Sequence, residues 1–240
     1  ENQVRFLFHV DFFKIISEKT QFGSCFVNAD KRARREIIRN TKLYVNREEG
    51  FVGTSLKRDE YVTDCSDIDD IIVFTEDGTM MVTKVDAKTF VGKNIIHVAV
   101  FKKKDKRTIY NMIYRDGTRG ANYVKRFAVT SITRDKEYDM TNGTKGSKVL
   151  YFTANPNGEA EVVTIYLRQS GSIKKLKFDL DFADQLVKGR NSKGNIVTKY
   201  SIKKIELKEK GLSTLKPRKI WFDDSVQRLN VDERGELLGE

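Results

Sequence analysis

Apolar positions in this chain come in short runs, and the clearest is Ile71–Val85, IIVFTEDGTMMVTKV. β-Branched and aromatic residues lead into Asp77-Gly78, and a second run leaves it toward the basic Lys84. Val, Ile, Phe and Thr on both sides of an Asp-Gly pair predict a tight β-hairpin. The pattern recurs downstream. TIYNMIYRDGTRGANYVKRF predicts a hairpin turning at Asp116-Gly117, and VLYFTANPNGEAEVVTIYL one turning at Asn157-Gly158. Looser copies, LYVNREEGFVGTSL and LVKGRNSKGNIVTKY, turn at Gly50 and Gly194. Glycines 78, 117, 158 and 194 stand 39, 41 and 36 residues apart. A period near 40 in an all-β pattern predicts stacked or radially arranged sheet units, as in a propeller.

Residues 1–40 read differently. VDFFKIISEK (10–19) spaces Val10, Phe13 and Ile16 as one face of a short amphipathic helix, with Lys14 and Lys19 on other faces. A loop with Gly23 follows, then KRARRE (31–36), which reads either as a DNA-contacting linker or as a solvated connection. From Leu43 onward β-signals dominate, and Pro156 and Pro217 both stand in turn contexts. No Gly/Ser linker divides the rest, so the expected organisation is a helical tail and basic linker over 1–40 and one β-repeat domain over 41–240.

Composition sharpens this picture through charge. The 240 residues are 39% hydrophobic and 33% charged, with net charge +11 and a pI near 9.5. Such a balance favours an anionic polymer or surface as partner. The charge is uneven: residues 59–77 hold eight carboxylates and no Lys or Arg. Residues 101–136 hold eleven basic and three acidic residues, and residues 188–219 hold eleven and two. Uniform solubilising charge would not be distributed so; a polarised surface would. Cys25 and Cys65 supply no disulfide framework, which fits a reducing compartment. No apolar run approaches membrane-spanning length, and the first residues lack a signal pattern. A start at Glu1 rather than Met leads us to expect an excised fragment.

Catalytic chemistry finds no motif. DCSDIDD (64–70) lacks the spacing of a Ca²⁺ loop and reads as a turn between units. His97 sits in the strand-like NIIHVAVF, where alternation puts it opposite the apolar face, and His9 is remote in sequence. No Cys/His/Asp cluster supports zinc, no nucleophile stands with a base, and no Gly-rich phosphate loop appears. The basic surface remains. KGRNSKGN (188–195) offers Lys188, Arg190 and Lys193 among glycines that let a backbone approach phosphate. Lys199 and Lys203 share strand parity and so one outward face, with Lys204 next in line. KKKDKR places Lys102, Lys103, Lys104 and Arg107 at a blade-edge loop. VKRF puts Lys125 and Arg126 where the second strand of a hairpin ends, as Lys84 does in the first copy. A recurring basic band fits a curved duplex held through its backbone. An acidic protein partner on the same band is the alternative.

At these residues the chain resembles a known family. YVNREEGFVGTSLKRDE, CSDIDDIIVFTEDG, FVGKNI, DKRTIYNMIYRDG, YVKRFAVTSITRDKEYD, YFTANPNGEAEV, KGRNSKGNIVTK and RKIWFDD are similar to the C-terminal β-pinwheel domain of the bacterial type IIA topoisomerase A chain, topoisomerase IV more than gyrase. The resemblance covers about residues 43–239. It implies a propeller-like β-pinwheel of about four to five blades that exchange strands and hold double-stranded DNA on a basic rim. It also makes residues 1–40 the end of a helical core and its linker. The catalytic tyrosine belongs to a core absent from this sequence, so the fragment is expected to be inactive alone and to need no cofactor. For the cytoplasmic, nucleoid-associated holoenzyme the resemblance implies Mg²⁺, ATP and the topoisomerase B subunit, without a membrane. The gyrase box, Q-R-R-G-G-K-G, has only the degenerate counterpart KGRNSKGN, which implies bending and segment selection for relaxation and decatenation rather than chiral wrapping.

Overall fold

The computed structural model describes residues 41–171 and 173–216, and the backbone of 220–223, 228–231 and 236–239. The helix expected over 10–19 and the basic linker at 31–36 lie outside the described residues. Among the described residues there are nineteen strands and no α-helix. The chain opens with β1 (Thr41–Asn46), β2 (Phe51–Gly53) and β3 (Glu60–Cys65). Next come β4 (Asp70–Thr75), β5 (Thr79–Lys84), β6 (Thr89–Phe90) and β7 (Ile95–Phe101). A third group comprises β8 (Ile109–Arg115), β9 (Asn122–Ala128), β10 (Glu137–Asp139) and β11 (Lys148–Asn155). The fourth comprises β12 (Glu159–Leu167), β13 (Lys177–Asp181), β14 (Val187–Gly189), β15 (Asn195–Thr198) and β16 (Ile202–Ser213). The last is β17 (Ile220–Asp223), β18 (Arg228–Val231) and β19 (Glu236–Gly239).

One pairing rule generates five sheets. The first strand of each group is central and pairs antiparallel with the second and the last: β1 with β2 and β3, β4 with β5 and β7, β8 with β9 and β11. β12 pairs likewise with β13 and β16, and β17 with β18 and β19. The segment between those partners reaches back to the preceding sheet. β6 covers β2, β10 covers β5, and β14 and β15 cover β9. This all-β exchange of strands between successive units is the β-pinwheel arrangement the sequence led us to expect, and five sheets fall within the expected four to five.

The glycine turns divide into two kinds. Gly50, Gly78 and Gly117 close hairpins, and all three have φ in the left-handed region. At Gly78 (φ +89°) a Cβ would stand 2.3 Å from the Thr141 methyl, so both the dihedral and the space exclude a side chain. Gly158 turns tightly, its N–H donating to Asn155 O at 3.0 Å. Yet β11 joins β8 and β12 joins β13 and β16, so the expected Asn157-Gly158 hairpin is a connection between sheets. Gly194 likewise lies between β14 and β15, which both pair with β9 rather than with each other. The near-40 period therefore mixes turns of different roles. The acidic run is the inter-sheet turn it looked like, with Asp69 Oδ2 accepting from Ser66 N–H at 2.9 Å.

Packing explains why the central runs are continuously apolar. Every residue of β4 is buried, because both of its faces are covered. Ile71 and Val73 join a core with Leu43, Val45 and Val52 of the first sheet. Ile72 and Phe74 join another core with Tyr110, Met112 and Tyr114 of β8. The opposite face of the third sheet, through Ile113 and Val124, packs on Val163 and Ile165 of β12. Each fully buried Ile, Val or Phe contributes about 1.5–3 kcal/mol relative to exposure, so sheet-on-sheet contact dominates. His97 is not on a solvent face as expected. It lies beside Phe74, Tyr110 and Phe152, with centroids 5.5–6.1 Å away.

Candidate nucleic-acid interface

Register places the connecting loops. Asp70 pairs with Lys84 and Phe101, so the start of β4 and the ends of β5 and β7 share one end of their sheet. Ile109 pairs with Ala128 and Asn155, which does the same for β8, β9 and β11. Residues 102–108 join the two ends directly. The glycine hairpins at 78 and 117 occupy the other ends. The loops 102–108 and 129–136 therefore leave the non-hairpin end, and Gly189, opposite Ala128, brings the start of the 190–193 loop to it.

These loops are tied together. Lys104 N–H donates to Thr130 O at 3.1 Å. Asp105 organises its own loop by accepting from the Thr108 hydroxyl at 2.7 Å and the Arg107 amide at 2.8 Å. Burial pushes its carboxyl up, but those hydrogen bonds and the Lys102 charge outweigh it and leave the pKa lowered. Asp70, 6% exposed, lies under the loops. Arg134 Nε reaches it at 2.7 Å and Lys103 Nζ at 3.5 Å. From the third loop, an Arg190 guanidinium N–H donates to Ser131 O. That guanidinium covers the Tyr138 ring at 4.1 Å, and Lys136 stands 5.5 Å from the same centroid.

Of the residues expected from sequence, Lys102, Lys103, Lys104 and Arg190 are in this loop system, all exposed except the half-buried Arg190, and the exposed Lys188 stands on β14, two residues before Arg190. Arg107 is half-buried and donates to Lys216 O at 3.0 Å. Arg134 and Lys136, exposed in the same system, escape a reading of the sequence because TRDKEYD sets three carboxylates against its two cations. Lys193 lies toward the hairpin end, 4.7 Å over the Tyr123 ring and 4.0 Å from Asp116. Lys199 is there too, since Asn122 Nδ2 donates to the carbonyls of Thr198 and Tyr200. Lys199 follows β15 and Lys203 is in β16, so the single strand face expected for them does not exist. Lys204 is exposed on β16, paired with Glu206 at 2.6 Å.

Lys125 and Arg126 are corrected outright. Both lie inside β9 rather than at its end, and β9 is covered on both faces. Lys125 is 3% exposed. Its ammonium donates to Arg190 O at 2.8 Å and Ser192 O at 3.3 Å, so it holds the basic loop from beneath. Burial lowers its pKa to about 8, against an opposing pull from Asp139. Arg126 is 1% exposed and donates to Asn111 Oδ1, Thr214 Oγ1 and the carbonyls of Phe182, Gly158 and Glu159. It ties the third sheet to the fourth and has no surface to offer a duplex.

With this geometry in place, similarity to known proteins is informative. Residues 42–210 match the family model described as topoisomerase C-terminal domain, Bacteroidota. The A subunit of DNA topoisomerase 4 from Borreliella burgdorferi is 28% identical over 179 residues, covering 74% of this chain and 27% of that protein. The chain thus spans about a quarter of the length of that relative. A crystal structure of the C-terminal domain of DNA topoisomerase IV aligns with a TM-score of 0.43 and 13% identity, over 73% of this chain and 64% of that one.

Proposed function

This chain belongs to the topoisomerase C-terminal domain family of Bacteroidota, and from that premise we propose that it is the DNA-binding and DNA-bending domain of a type IIA topoisomerase A subunit. The observation that carries the reading is the convergence of Lys102, Lys103, Lys104, Arg134, Lys136 and Arg190 on three hydrogen-bonded loops, with Lys188 on β14 leading into the third. Cations on tied loops meet phosphates without losing much freedom, and among the described residues no α-helix accompanies them to read base edges. Binding of this kind bends or guides a duplex and presents it for strand passage by the rest of the enzyme. Catalysis, ATP, Mg²⁺ and the B subunit, in this proposal, belong to that cytoplasmic holoenzyme. Among the described residues no three His, Cys, Asp or Glu side chains group to hold a metal ion, and Asp70 is taken by Arg134 and Lys103.

Binding of a duplex of about 30–40 bp, titrated with salt, tests the reading. Log affinity falls linearly with log salt, with a slope of about −0.9 per phosphate neutralised. Affinity indifferent to salt, or equal affinity for an acidic polypeptide of matched charge, would refute it and favour the protein-scaffold alternative.

A further inference from the structure

In the first three sheets the second strand never stays at the edge, because β6, β10 and the β14–β15 pair cover β2, β5 and β9. The fourth sheet breaks this rule. Its second strand, β13, ends the order β13-β12-β16 and has no outer partner among the described residues. The covering strands arise in the connections 85–94, 129–147 and 182–201 of the next unit. Among the described residues β13 keeps an open outer row of backbone donors and acceptors, a template for one more strand.

Chemistry around this edge selects its occupant. β13 alternates Lys177, Asp179 and Asp181 with Phe178 and Leu180, which pack on the core shared with β12. A groove of about 290 Å³ runs between β13 and β15. Asp179, Asp181 and Asp184 line it with no Lys or Arg, in a chain of net charge +11. Lys208 of β16 reaches Asp179 at 2.6 Å, and Asp181 accepts from Ala183 N–H at 2.7 Å. Across the groove Ile196 is 58% exposed. We propose that the β13 edge is a β-augmentation site for an extended basic segment of another protein. In that segment Lys or Arg alternates with apolar residues. The cations lie beside Asp179 and Asp181, the apolar residues continue the row of Phe178 and Leu180, and backbone hydrogen bonds supply the register.

A fluorescent peptide of alternating Arg and Val, added to the full chain, provides the test. Saturable binding, with new amide-exchange protection across residues 177–181, is the expected result. Asp184→Lys weakens binding about tenfold by reversing one charge in the groove. N-methylation of alternate peptide residues abolishes the protection because it removes the ladder donors, and this arm does not depend on how any variant folds. Equal binding of the methylated peptide would reduce the site to charge attraction and overturn the proposal. Overturning it equally would be a concentration-dependent dimer of the chain that excludes the peptide, for then a second copy occupies the edge. Duplex affinity stays unchanged in Asp184→Lys, so failure here leaves the DNA reading intact.

Discussion

Arg126 and His97 show how far a residue's role departs from its type once both faces of a strand are covered. Arg126→Met leaves Asn111 Oδ1 without its donor and removes one of two or more donors from the carbonyls of Gly158 and Phe182, which keep the Thr214 and Gln185 N–H groups. A buried acceptor left unpaired costs about 1–3 kcal/mol, so a loss of that size is expected, read as a lower urea midpoint. The slope of log affinity against log salt, measured on folded protein, stays where it was. A drop in that slope would return Arg126 to the interface. His97 contributes to the acid limb of stability above the range where the carboxylates titrate. Burial, aided by Arg47, lowers its pKa from 6.5 to about 4. Between those values the unfolded chain binds a proton that the folded chain does not, so stability is full above about pH 6.5 and falls as pH drops toward 4. At about 1.4 kcal/mol per unit the ceiling is about 3 kcal/mol, less for a ring that keeps some exposure to solvent. His97→Phe flattens denaturation midpoints measured at pH 7, 5.5 and 4.5; a limb equally steep in the variant would contradict the assignment.

At the scale of elements, the hairpins test whether turn geometry or space is decisive. Gly78→Ala meets both a left-handed φ and the Thr141 methyl, whereas Gly171 (φ +50°) has nothing within 4 Å of a built Cβ. Gly171→Ala is expected to cost about 1 kcal/mol from the dihedral alone, and Gly78→Ala about 2–3 kcal/mol. Equal thermal shifts for the two would mean that Thr141 yields freely. The 71–85 hairpin is legible in the sequence because its signals are local: an apolar run, an Asp-Gly turn and a second run. Strand exchange is not. β10 is three residues, Glu137–Asp139, with no periodicity, and its place beside β5 follows from long-range packing. Asn157-Gly158 misleads for the same reason, since a tight turn looks alike whether its arms pair or part.

For the whole molecule, the basic loops are half legible. Lys102–Lys104 stand out as a run, and Arg190 stands among glycines. Arg134 and Lys136 are hidden by neighbouring carboxylates, and nothing in VKRF reveals that a second sheet closes over it. Replacing Lys102, Lys103 and Lys104 with Ala is expected to reduce the salt slope by about 0.9 for each phosphate that is no longer neutralised. Lys203→Ala and Lys204→Ala, on β16 and away from those loops, change it little. The reverse ranking in an anisotropy titration would move the interface to the fourth sheet.

Because every sheet from the first to the third borrows its covering strand from the following unit, no repeat can be excised or shuffled as a cassette. A nascent chain emerging from the ribosome carries β5 with a bare edge until Glu137–Asp139 has been synthesised and can dock. Synthesis thus passes through an interval in which a half-made chain is vulnerable to pairing with its neighbours on the same messenger.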